Sequence, residues 1–160
     1  MKFRRLTNEE LEHLEKEFID FLCSNTVTAD DWESLKVNEP ENAEALIEMF
    51  SDVVLEKVYT KVSFLEKREK DNLMIFKISD EMIQLLGISI TGDSNVDFTD
   101  SNSIQSYLAQ NKSVNSQISG FRNTKVIATG SKTEEVFQLI SSGCVVGEET
   151  FFNTLDQIID

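Results

Sequence analysis

Histidine, cysteine, proline and basic residues are all scarce in this 160-residue chain, and each shortage closes off a kind of chemistry. The one histidine, His13, leaves no second imidazole for a histidine-based metal centre. It also leaves no downstream base to take the proton from a serine nucleophile. The two cysteines, Cys23 and Cys144, stand far apart and in no C-x-x-C pattern, so neither a disulfide framework nor a thiolate zinc site is indicated. Reduced thiols in a cytoplasm fit this usage. Met1-Lys2-Phe3-Arg4-Arg5 runs into Thr7-Asn8-Glu9-Glu10 with no apolar core of a signal peptide, and no 18-residue apolar stretch occurs, so a cytoplasmic protein without membrane spans is expected. With 15 basic against 29 acidic side chains, the net charge of −14 argues against nucleic acid or anionic lipid as a partner.

The composition, 40% hydrophobic with eleven phenylalanines, is that of a globular protein. A chain of this length buries roughly two thirds of the surface its unfolded form exposes, enough for one domain without disulfides or metal. Charge is unevenly spread. Residues 6–56 carry fifteen acids against Lys16 and Lys36, whereas residues 57–78 carry six bases against three acids. Proximity of Arg4 and Arg5, or of the basic hairpin, to the acidic helices would relieve that repulsion, and so would a basic partner.

Residues 1–57 read as helical. Thr7 and Glu10 form a capping-box pattern before Leu11, Leu14, Phe18, Phe21 and Leu22 at helical spacing, predicting a helix over 8–24. Thr28 and Asp31 open a short second helix that must end before Pro40. A third, from about Glu41, has Leu46, Ile47, Phe50, Val53 and Val54 on one side. On the other side Glu44, Glu48, Asp52 and Glu56 repeat at i, i+4, where like charges cost roughly 0.2–0.5 kcal/mol per pair. That cost makes the row either a solvated face or a recognition stripe for a basic protein surface.

From Val58 the period changes to two, predicting a β-meander over 58–90 whose strands are separated by a Glu66–Asn72 turn and by Ser79-Asp80-Glu81. Residues 91–124, eighteen of them Ser, Thr, Asn or Gln, read as a polar loop with a helical segment at Ile104, Tyr107 and Leu108. Residues 125–160 read as a strand-helix-helix tail, with Gly143 ending the first helix. The whole is expected to be one α+β domain, its N-terminal helices packed on a three- to four-stranded, mainly antiparallel sheet.

Four patterns touch on chemistry. Glu10 and His13 resemble half of a carboxylate-bridged metal motif, without a second half. Gly92-Asp93-Ser94 resembles an esterase nucleophile block that lacks its base. Asp93, Asn95 and Asp97 match the opening of an EF-hand calcium loop, but Phe98 replaces the turning glycine and Ile104 the bidentate glutamate; with Asp100 they leave a reduced cation-site candidate. Ser131, Lys132 and Thr133 sit at a strand-to-helix junction suited to an anion, although the P-loop glycines are absent and Glu134 and Glu135 follow; a helix cap by Ser131 or Thr133 is the simpler reading.

The segment Phe3–Leu11, together with Val54–Lys77 and its Glu66-Lys67-Arg68-Glu69-Lys70-Asp71-Asn72 stretch, resembles an uncharacterised family of small bacterial cytoplasmic proteins, mainly over residues 1–90. The resemblance implies a bacterial intracellular protein and assigns no catalytic or ligand residue. The segment 91–124 is expected to be particular to this chain. With carboxylates abundant and no activated nucleophile in sight, the sequence points to a non-enzymatic interaction or regulatory module that uses no cofactor. The alternatives are an enzyme whose site is assembled from distant carboxylates, dependent on a metal or phosphate ligand, and a homo-oligomer meeting through a sheet edge or Trp32.

Overall fold

The computed structural model describes residues 1–92, 96–110 and 118–159, and its fold is α+β. The chain divides into two compact units, Met1–Val58 and Tyr59–Asp160.

The first unit is helical. Helix α1 (Asn8–His13) starts in a complete capping box: Thr7 accepts from the Glu10 amide while Glu10 accepts from the Thr7 amide. The expected single helix over 8–24 is divided at Leu14, whose φ of −108° and ψ of 22° interrupt it, and α2 (Glu15–Ser24) follows. After α2, Thr26 adopts a left-handed φ of 61°, and the Val27 amide reaches back to the Leu22 carbonyl at 2.9 Å. This is a glycine-type helix ending made with a β-branched residue, which carries steric strain. Helix α3 (Ala29–Asn38) repeats the capping box with Thr28 and Asp31 and stops two residues before Pro40. The rings of Phe18, Phe21, Trp32 and Phe50 cluster here, with Phe18 edge-on to Trp32 at 5.2 Å and 5.0 Å from Phe50.

Helix α4 begins at Pro40 and runs to Thr60, so residues 58–60, expected in a strand, are helical. The reason lies in the spacing of its buried residues: Ser51, Leu55 and Tyr59 recur every four, carrying the helical period beyond Val58. Val53, expected on the apolar side, is exposed for the same reason.

The second unit is built on a five-stranded antiparallel sheet in the order β4-β3-β2-β1-β5. Strands β1 (Phe64–Arg68), β2 (Asn72–Ile78) and β3 (Met82–Ile90) form the expected meander, but β1 runs through Glu66, Lys67 and Arg68, and only Glu69–Asp71 turn. The polar segment also holds more order than its composition suggested. Helix α5 spans Ser101–Gln110, and β4 (Ile118–Val126) pairs along its whole length with β3. The strand expected to open the 125–160 tail thus ends at Val126 and begins at Ile118; an edge strand needs no buried alternation, and β4 is exposed beyond its first residues, so residues 118–124 carried no strand pattern. Gly87 faces Phe121 across this pair, and a side chain on Gly87 would stand only 2.0 Å from the Phe121 ring.

Helix α6 (Lys132–Ser141) ends through Gly143, at φ 106°, with the Cys144 amide bonded to the Leu139 carbonyl at 3.1 Å. Strand β5 (Val145–Val146) was not expected; its two residues extend the sheet edge beside β1. Helix α7 (Glu149–Ile159) then lays Phe152 and Leu155 on one sheet face. With Leu73, Ile75, Leu86, Ile88, Phe98 and Ile104 they form a contiguous core.

Candidate functional site

The row of carboxylates on α4 is engaged by the chain's own first residues. Asp52 accepts the amides of Lys2 and Phe3 at 2.6 and 2.9 Å, and Glu56 accepts Lys2 Nζ at 2.7 Å. Glu44 takes the Arg5 guanidinium through Nε and Nη2. Between these polar clasps the Leu6 amide donates to the buried Ser51 hydroxyl at 3.0 Å, and Phe3 and Leu6 are themselves buried. Arg4 turns the other way, onto both oxygens of Glu10 at 2.8 Å, which with the Thr7 amide lowers the Glu10 pKa to about 2. Of the four predicted carboxylates, Glu48 has no hydrogen bond or ion pair among the described residues. Next to it along α4, Met49 and Val53 are exposed, about half of each in water. The face therefore has one occupied acidic edge and, one residue on, an uncovered apolar pair.

The other predicted groups do local work. Asp97 accepts the Thr99 amide and hydroxyl at 2.9 and 2.5 Å, and Asp100 accepts the Asn102 amide at 3.1 Å as α5 begins. Asp93, Asn95 and Ser94 lie outside the described residues. Among the described residues no three His, Cys, Asp or Glu side chains are gathered as metal ligands. Ser131, expected to cap α6, instead donates its hydroxyl back to the Ala128 carbonyl at 2.6 Å. Lys132 is drawn to the Thr60 carbonyl at 2.9 Å and to Asp80 at 3.7 Å, and Thr133 is buried. His13 is exposed, its Nδ1–H donating to the Glu9 carbonyl at 2.7 Å.

A cleft of about 490 Å³ in the second unit brings together groups the sequence reading did not single out. Strand alternation sets Glu66 and Arg68 on the same sheet face, where they bond at 2.8 Å. Glu66 is buried, and burial, countered by Arg68 and reinforced by the nearby Glu148 carboxylate, raises its pKa. Arg68 lies over the Phe151 ring, 5.4 Å from its centre, and its Nε–H is shielded from water with no hydrogen-bond partner among the described residues. Ser101 and Gln105 on α5, and Thr150 and Thr154 on α7, reach the cleft because i, i+4 spacing aligns each pair. Assigning 66–72 to a turn hid this site; the alternation Phe64, Glu66, Arg68 was the signal that could have revealed it.

A family model matches the chain over residues 1–160, and its family is one of unknown function. The chain belongs to DUF6495. No curated protein and no solved structure matches the chain. No helix among the described residues of this DUF6495 chain is long and apolar enough to cross a membrane.

Proposed function

We propose that the protein is a non-enzymatic interaction module that receives a basic, partly apolar segment of a partner protein on helix α4. The observation that carries this reading is the seating of Lys2–Leu6: a basic-apolar stretch lies on the acidic row with both its amides and its cations held. The face is thus suited to that chemistry. Charge remains to spare, since residues 1–58 keep fifteen acids against six bases when the N-terminal cations are counted. Half-buried Glu48 with exposed Met49 and Val53 offers the acidic-apolar edge on which a partner docks. A bacterial cytoplasm is the setting this reading assumes, with no nucleic acid as partner because the charge is of the wrong sign.

The test is fluorescence anisotropy of a labelled peptide alternating lysine and leucine against the intact protein, with a lysine-serine peptide of equal charge as control. The reading predicts preference for the leucine peptide, weakening with salt, and loss of about tenfold in affinity in Glu48→Lys or Met49→Ser, each at a surface position. Equal binding of both peptides, or indifference to both substitutions, would sink it. Light scattering on the same sample distinguishes a partner from a second copy of the chain.

A second reading, an enzyme assembled from distant carboxylates, draws on one observation: Glu66 and Glu148, remote in sequence, border one cleft. Calorimetry with calcium, magnesium and manganese tests its metal-dependent form, which loses its basis if none binds more tightly than about millimolar.

A further inference from the structure

We propose that the cleft between β1, β5, α5 and α7 is a binding site for a small hydroxylated amine, an organic cation carrying several hydroxyl groups. This goes beyond the interaction reading and does not depend on it, because every group involved lies within residues 59–160.

The volume of about 490 Å³ is in the range of small-molecule sites. Among the described residues its charged lining is Glu66, Glu148 and Arg68, and Arg68 is already committed to Glu66 at 2.8 Å. Among the described residues the Glu148 carboxylate has one hydrogen bond, a 3.5 Å contact from the Thr150 hydroxyl, and is exposed, so it is available to an ammonium group. An anion would meet two carboxylates there.

The uncharged lining specifies the rest of the ligand. Ser101 and Gln105 present groups that both donate and accept, and the Thr150 and Thr154 hydroxyls, which already donate to Glu148 and to the Thr150 carbonyl, present acceptor lone pairs, a lining that suits a polyol better than an apolar body. Phe151 gives the site one flat apolar wall.

The experiment titrates the ¹⁵N-labelled intact protein with glucosamine, glucose and inorganic phosphate at neutral pH, following amide shifts and the affinity they report. Glucosamine is expected to bind, with shifts at Thr150, Thr154 and Glu66, and glucose to bind at least about tenfold more weakly, as loss of one charge-assisted hydrogen bond implies. Glu148→Gln, at an exposed position that leaves the fold intact, should bring glucosamine down to the level of glucose. Phosphate outcompeting glucosamine, equal binding of glucose, no saturable shift by glucosamine, or shifts confined to residues 1–58 would each overturn the proposal.

Discussion

The two units hold together by different means. In Met1–Val58 the helices begin in reciprocal caps at Thr7/Glu10 and Thr28/Asp31, and the N-terminal segment is fastened to α4 by carboxylates that water can reach. In Tyr59–Asp160 the sheet assembles residues far apart in sequence around a core in which Leu73, Ile75, Ile88, Phe98 and Leu155 are fully buried. The first unit thus adds to its aromatic cluster a set of water-accessible polar fastenings that respond to salt and pH. The second is apolar and non-local. The single tryptophan, Trp32, lies in the first unit and both tyrosines, Tyr59 and Tyr107, in the second, so spectroscopy can follow each separately.

The comparison breaks most visibly at the core. Leu155→Ala, at a site with no exposure, should cost about 2–5 kcal/mol by the tyrosine signal in urea titration and should be indifferent to salt. A loss below about 1 kcal/mol would mean that the core is less continuous than described. Next comes Ser51→Ala in the first unit. It strips the Leu6 amide of its acceptor in a buried place, for an expected loss of about 1–3 kcal/mol in the tryptophan signal. Thr26→Gly should act in the opposite direction, stabilising the first unit by up to about 1 kcal/mol, because glycine adopts the φ of 61° without strain. A destabilised Thr26→Gly variant would show that the hydroxyl or methyl of Thr26 outweighs the strain.

The smallest effect is electrostatic, and its sign separates the units. Glu10 is held by Arg4 and the Thr7 amide at a pKa of about 2, below its ordinary 4.5. The stability it contributes is present above pH 4.5 and is lost as pH falls toward 2. Glu66, raised by burial, works the other way: its protonated form is favoured in the fold, so stability declines as pH rises from the ordinary carboxylate range through its raised value. Glu10→Gln should therefore flatten the acid-side decline of the tryptophan signal while leaving the tyrosine signal alone. An unchanged acid limb would dissociate Glu10 from the stability of its unit.

The same contrast decides what could be read from the sequence. Thr7, Thr28, the stop before Pro40, the meander and the helix end at Gly143 were legible because each is specified by residues a few positions apart. Features that depend on distant partners were not. Strand β4 is polar and is held by pairing with β3; β5 is two residues long; and the cleft joins β1 to residues about eighty positions later. The acidic row of α4 and the nearby Arg4-Arg5 pair are visible in the charge pattern, but the amides of Lys2 and Phe3 on Asp52 carry no mark in composition or charge.

Helix α4 is proposed as the surface that meets a basic, apolar partner. Its most direct test is an amide-shift map of the intact protein titrated with the lysine-leucine peptide at low and moderate salt. Saturable shifts centred on Glu48, Met49 and Val53, shrinking as salt rises, are expected. Shifts confined to residues 59–160, or spread evenly over every acidic helix with no saturation, would contradict it.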